Sequence, residues 1–308
     1  MSQTSQARKT QLFVVALTML AGWSTLVPSA QAQGRRTLTP EERAERERRF
    51  QAELVMPRPV EALDSIWIEE LTWIEIRDAI AAGKTSVIVP TGGIEQNGPY
   101  VAMGKHNYVL ETACEDIARE LGNALCAPII KLVPEGNIDE PSGHMRYTGT
   151  ISVREDTFQA MLEDVGRSLK VHGFENIIYI GDSGGNQSGM AAVTERLNAR
   201  WTDGRAHYIA GFYDNNGLIK YMNEGLGIVE PTSDGVHDSY WITALQMVTD
   251  PSTVRYAERV AAGKAMVNGV SIADLDKTVA VGKKLMKWRV EKTVALIRES
   301  IGPAPSSQ

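Results

Sequence analysis

The chain has 308 residues, 43% of them hydrophobic and 23% charged, with a formal net charge of −6 and 2 cysteines. Composition and length are those of a globular chain with one large or two small domains. They exclude a disulfide-framed miniprotein or Cys-rich zinc module and a low-complexity chain, and the acidic balance excludes nucleic acid as the main partner.

In chain order, Arg8 and Lys9 precede a largely apolar run from Gln11 to Pro28, and Ala30-Gln31-Ala32 offers small residues where a signal peptidase reads. Residues 1–32 therefore read as a cleavable signal peptide. Thr18, Trp23, Ser24 and Thr25 dilute the run below what a membrane anchor needs. The mature chain loses Arg8 and Lys9 and no acid, becomes more acidic, and is expected in the periplasm or secreted, off the membrane. Residues 33–60 form a charged helical arm and linker. Thr39-Pro40-Glu41-Glu42 supplies an N-cap, a Pro at the first helical position and a capping-box Glu, and MPRP at 56–59 marks the linker. The arm would pack on a neighbouring subunit or stay solvated. Residues 61–302 are the globular domain and 303–308 a tail.

Within the domain the pattern predicts strand 86–90, helix 107–121 and strand 125–131. A helix follows from a capping box at Ser152-Val153-Arg154-Glu155 to about His172. Next come strand 176–180, helix 186–200, strand 206–212, a helix starting near Asp234, and a long helix from Lys277 to Ile301. Apolar strands alternating with amphipathic helices make an α/β fold of three layers, α/β/α, with a mainly parallel sheet. Ligands of such sheets bind beyond the carboxyl ends of the strands. Cys114 and Cys126 fall on a helix and the next strand. Adjacent layers usually hold Cα atoms further apart than a disulfide tolerates, so both read as buried free thiols.

Four polar clusters fall on loops after strands or beside helix starts. The first, Thr91 to Tyr100 and on to Gly104-Lys105-His106-Asn107, holds Glu95, Asn97 and His106. It is half of a metal site or an acid–base pair, or a Gly-rich loop whose Glu95 and Asn97 cap the next helix. The second, Pro141 to Thr150, carries His144 and Arg146, which suit an anionic or carbonyl ligand or a structural turn. The third, Gly181-Asp182-Ser183-Gly184-Gly185-Asn186, has the G-x-S-x-G of a nucleophile elbow between strand and helix. Its glycine amides at a helix N-terminus could hold an oxyanion. In the fourth, Ser233 to Ser239, Asp234 caps a helix and His237 faces the same crevice. His172 reads as a helix C-cap, and His207 as core or sheet edge.

The order and spacing of these clusters resemble the creatininase (creatinine amidohydrolase) family. Its pattern is E-Q-H-G-P-H after a strand, then an Asp, an E-H ahead of G-T-I-S, N-G-H-G-G-N and D-x-x-H. Glu95-Gln96, Gly98-Pro99, Gly149-Thr150-Ile151-Ser152, Gly184-Gly185-Asn186 and Asp234-x-x-His237 match as they stand. The resemblance implies a creatininase-like fold, hydrolysis of an amide or lactam with two divalent ions, and a ring-shaped homo-oligomer, commonly a hexamer. The chain departs from the pattern at the ligands. Asn97 and Ser183 stand where the family has His, His106 where it has a bridging Asp, and Tyr100 where it has a further His. Imidazole cannot bridge two ions as carboxylate does, and Asn and Ser are weak ligands for zinc or manganese. The expectation is a rebuilt site with one ion, zinc or manganese, on Glu95, His106 and Asp182, or with none, and no nucleotide cofactor.

Three functions fit this pattern. One is a hydrolase of an amide, lactam or lactone bond in a small polar molecule. There Glu95 and His106 bind the ion or polarise the substrate, His237 oriented by Asp234 moves the proton, and Asn97, Tyr100, His144, Arg146, Gly184, Gly185 and Asn186 line the substrate. Another is a metal-independent serine hydrolase with Ser183 as nucleophile, His237 as base and Asp234 or Asp238 as orienter. The last is a non-catalytic periplasmic protein that binds a small polar ligand.

Overall fold

The structure is a computed structural model that describes residues 38–302, except Asp234 and Val236. The signal-peptide reading of residues 1–32, the start of the arm, Asp234 as cap or orienter, and the tail 303–308 lie outside the described residues. Contacts divide the chain into two units after Met56. The first carries helix α1 (Pro40–Leu54), opened by the capping box: Thr39 Oγ1 accepts from Glu42 N, and the Glu42 carboxylate accepts from Thr39 N. None of its residues is buried.

The second unit begins with α2 (Trp73–Ala81), itself opened by a capping box between Thr72 and Glu75. Then follow β1 (Ser86–Thr91), α3 (Lys105–Leu121), β2 (Ala124–Cys126), α4 (Glu155–Val171), β3 (Asn176–Gly181), α5 (Gln187–Arg200) and β4 (Arg205–Tyr208). Beyond these come α6 (Asn215–Lys220), α7 (Tyr240–Thr249), α8 (Tyr256–Ala261), the hairpin β5 (Met266–Val267) and β6 (Val270–Ser271), and α9 (Leu275–Ile301). The main sheet is parallel in the order β2-β1-β3-β4, with Val87 opposite both Leu125 and Ile177. β1 is buried throughout and β3 from Ile177 onward, as strands covered on both faces must be. Helices α3, α7 and α9 pack on one another in one layer and α4 with α5 in the other. Close packing has a sequence cause at Gly282 of α9, where a Cβ would lie 2.1 Å from the Ala244 carbonyl oxygen of α7.

The chain runs outward from β1 to β2 and returns to the other side of β1 for β3. The switch point between β1 and β3 therefore opens at their carboxyl ends, and the loops holding Glu95 and Asp182 leave the sheet there.

Several expectations are corrected. Cys114 and Cys126 form a disulfide, with Cα atoms 6.3 Å apart, rather than free thiols. α3 ends on left-handed Gly122 and returns to β2 within two residues, so helix and strand are closer here than layers usually are. The capping box at Ser152 does not form: Arg154 is the N-cap of α4, and Ser152 Oγ accepts from Glu135 N and donates to the Gly136 carbonyl. The strand expected over 125–131 stops at Cys126 ahead of Pro128, with a single further bridge between Thr91 and Ile130. That expected over 206–212 ends at Tyr208, and the helix expected near Asp234 starts at Tyr240. His172 is the C-cap of α4, and His207 is buried on the edge strand β4.

Candidate active site

The floor of the crevice is made by clamped turns. Asn107, in the first turn of α3, donates to the Gly93 carbonyl at 3.1 Å and accepts from Gly93 N at 3.2 Å. A side chain at Gly93 would place Cβ 2.1 Å from Glu135 Oε1, so glycine is required where these groups crowd the end of β1. Asn186, fully buried, donates to Thr91 O at 3.1 Å, Thr91 Oγ1 at 2.9 Å and Gly92 O at 2.8 Å. It stitches the turn after β3 to the end of β1, a supporting place rather than a lining one.

A chain of buried charges sits on this floor. His106 lies 2.8 Å from Glu95 Oε1 through Nε2 and 2.8 Å from Asp182 Oδ2 through Nδ1. The imidazole thus bridges the two carboxylates, one at each ring nitrogen. Lys105 Nζ lies 2.9 Å from Glu95 Oε1 and also donates to Asn97 Oδ1. From α9, Arg289 donates to Asp182 Oδ1 at 2.7 Å and Asn215 Oδ1 at 2.9 Å. Burial opposes ionisation of Glu95, but the hydrogen bond from His106 and the Lys105 charge outweigh it and hold the carboxyl well below the usual range. Asp182 is held low in the same way, burial being overcome by Arg289 and His106. Glu135 goes the other way: burial, then the neighbouring Glu95 charge, push it up to about 9. Ser183 Oγ donates to Glu135 Oε2 at 3.4 Å.

Over these lie two imidazoles. His144, on a 3-10 turn over Gly143–Arg146, places Nε2 3.0 Å from Glu95 Oε2. His237 lies beside it, ring centroids 4.7 Å apart and the planes tilted by 36°, and its Nδ1 lies 3.1 Å from the Gln96 carbonyl oxygen. The carbonyl accepts a hydrogen bond from Nδ1–H, which leaves the Nε2 lone pair for another partner. His237 is held at φ 57°, a conformation that costs a non-glycine residue about 1 kcal/mol and gathers at functional positions. Burial, then the Lys105 charge, push its imidazole below the usual value, favouring the neutral form.

Glu95, Asn97, His106, His144, Asp182, Ser183 and His237 thus share one crevice. Glu95, His106 and Asp182 meet as a hydrogen-bonded chain rather than as ligands around one ion, since both ring nitrogens of His106 are taken. The group able to hold an ion among the described residues is Glu95, His144 and His237, whose ligand atoms lie within 4.8 Å of one another. Ser183 Oγ bonds to Glu135, and His237 Nδ1 to a backbone carbonyl, and no hydrogen bond joins Ser183 to His237, so the nucleophile–base contact expected of a serine hydrolase is not made. Asp238 is buried and accepts from Thr243 Oγ1. The Tyr100 ring lies 4.4 Å from the Arg259 guanidinium of α8. Arg146 is exposed, as are Gly184 and Gly185. Lys105, Glu135 and Arg289 were not anticipated as site residues. Arg289 carried a signal, an arginine on the buried stripe of α9 between Met286 and Val290.

The fold and site define a three-layer α/β protein with a charged crevice at the switch point of its parallel sheet. The chain belongs to the creatininase family, described as creatinine amidohydrolase, which it matches over residues 69–297. It is similar to the creatinine amidohydrolase of Pseudomonas putida, 27% identical over 114 residues, 37% of this chain and 43% of that protein. It is also similar to the mycofactocin precursor peptide peptidase of Mycobacterium ulcerans (strain Agy99), 23% identical over 120 residues, 38% of this chain and 48% of that protein. The chain thus matches less than half the length of these relatives, whose names both denote hydrolysis of an amide bond. A solved manganese creatininase superposes with TM-score 0.59 at 20% identity, covering 78% of this chain and 100% of that one.

Proposed function

We propose that the protein hydrolyses an amide or lactam C–N bond of a small polar molecule in this crevice, with one divalent ion, zinc or manganese. The observation that carries the reading is the convergence of Glu95, His144 and His237. The donor set fits an ion: one ionised carboxylate and two imidazoles are a common catalytic zinc set. His237 in addition has the carbonyl partner at its far nitrogen that metal-ligating histidines usually have. When bound, the ion would supply Lewis acidity and an activated water.

The chain's own residues do the rest. Lys105 and His106 keep Glu95 ionised. Arg289 anchors Asp182 and so holds the His106 ring. Glu135 keeps a proton at neutral pH and is the group of the crevice suited to protonate a departing nitrogen, with the Ser183 hydroxyl beside it. The disulfide supports an oxidising compartment, and we propose the periplasm, reached through residues 1–32.

The test is turnover of a panel of lactams and small amides by the purified protein, followed by product chromatography. Glu95→Gln and His144→Ala are each expected to lower kcat/KM by about a thousandfold, roughly 4 kcal/mol of transition-state stabilisation. Unchanged turnover in both would overturn the assignment. Ligand binding without turnover of any compound would favour a non-catalytic binding protein.

A further inference from the structure

The two oxygens of Glu95 have different surroundings. Oε1 lies within hydrogen-bonding distance of Lys105 Nζ at 2.9 Å, His106 Nε2 at 2.8 Å and Asn97 Nδ2 at 3.4 Å. Three donors occupy it. Oε2 instead faces His144 and, beside it, His237. Lys105 is only 5% exposed, and a buried ammonium is costly unless paired. Its carboxylate partner is Glu95, and the Asn97 amide oxygen completes its cradle.

The location of Lys105 is also contrary to local rules. Lys105 and His106 are the first residues of α3, whose first turn has no acid and no side-chain cap. A helix N-terminus disfavours cations by a few tenths of a kcal/mol to about 1 kcal/mol. Departures from local rules in buried places are expected at functional or strained sites. Charge arithmetic points the same way. Glu95 and Asp182 are each paired with a cation of the chain itself, Lys105 and Arg289, so neither carboxylate is left unmatched before an ion enters, whereas a carboxylate cage built for several ions would be strongly negative without them.

We propose that Lys105 is a resident cation of this site: its ammonium occupies the Oε1 side of Glu95, so that the crevice takes one exchangeable divalent ion on the Oε2 side, with His144 and His237. The inference rests on the reading of the crevice as a one-ion site and specifies what replaces any further ion. Lys105 is here a positioning residue. It fixes the Glu95 carboxylate, and as a like charge it weakens the hold on the ion.

The test is direct binding of Zn²⁺ and Mn²⁺ to the tag-free full chain by titration calorimetry, with elemental analysis after dialysis. The wild type is expected to take one ion per chain. Lys105→Met, checked for folding by circular dichroism, is expected to bind at least tenfold more tightly or to accept a second ion. Two ions in the wild type, no uptake at all, or unchanged affinity and stoichiometry in folded Lys105→Met would each overturn the proposal. If Lys105→Met does not fold, Lys105→Gln takes its place, and wild-type stoichiometry decides on its own. The experiment reads no turnover. One-ion binding without hydrolysis would leave the proposal standing and remove the catalytic reading, and hydrolysis with two bound ions would do the reverse.

Discussion

Crowded by Gly93, Ser183 and the Glu95 charge, Glu135 keeps its proton in the folded state up to about pH 9, against an ordinary value of 4.5. Its folded value is raised, so its effect on stability is favourable at low pH and lost as pH rises. Below about 4.5 both states are protonated and burial costs nothing extra. Between 4.5 and 9 the unfolded chain ionises and the folded one does not, so stability declines by at most about 1.4 kcal/mol per pH unit. Glu135→Gln keeps the shape and removes the titration. Its stability relative to wild type should grow from pH 5 to pH 8.5 in urea melts of ion-free protein, and a constant difference would contradict the assignment. At this scale the sequence was partly legible. Glu95, His106, Asp182 and Ser183 stood out because polar residues crowded the ends of apolar strands. Glu135 and Lys105 did not, because nothing in a linear pattern shows that a solitary Glu, or a Lys beside a His, will be enclosed by loops from elsewhere.

Helix α3 shows what elements add. Its first turn delivers Lys105, His106 and Asn107 to the crevice, and Cys114 further along ties it to β2. Periodicity placed the helix well, yet spacing of layers misjudged the cysteines, since the tight return through Gly122 and Asn123 cannot be read from hydrophobic pattern. The bridge joins residues at a sequence separation of 12, for which a chain-entropy estimate gives about 3 kcal/mol. Paired replacement, Cys114→Ala with Cys126→Ala, should lower the melting temperature by roughly 5 to 12 °C in a chain this size. The ion binding proposed above should be unaffected, because the Asn107 clamp on Gly93 holds the loop independently. An unchanged melting temperature, with the wild-type thiols unreactive under denaturing conditions, would show that the bridge contributes little. Free thiols in the denatured wild type would refute the bridge itself.

At the scale of the whole molecule, the alternation of strands and helices was enough to give the layers and the parallel sheet. The short segments α2, α6 and α8 and the β5–β6 hairpin were not visible, being too brief to show a period. What joins the layers is set by single polar contacts, and His207 is one of them. It lies on edge strand β4, with Nδ1 2.7 Å from Ser300 Oγ of α9 and Nε2 3.1 Å from Asn176 Oδ1 of β3. A neutral ring satisfies both, accepting from the serine hydroxyl and donating to the amide oxygen. Burial, then the positive charge of Arg205, depress its value from 6.5 to about 4. Because the folded value is depressed, the stability it confers is present above 6.5 and lost as pH falls toward 4, where the unfolded chain binds a proton that the folded chain refuses. The full window corresponds to about 3 kcal/mol. His207→Gln should be less stable than wild type at pH 7 yet lose less stability between pH 6.5 and 4.5. The Glu135 contribution runs through the same window in both proteins and cancels in the comparison. Parallel stability–pH curves would show that His207 titrates normally and that acid sensitivity resides elsewhere. The predicted flattening would instead show the sheet edge loosening in acid, at the contact joining β3 and α9, which carry Asp182 and Arg289 to the crevice.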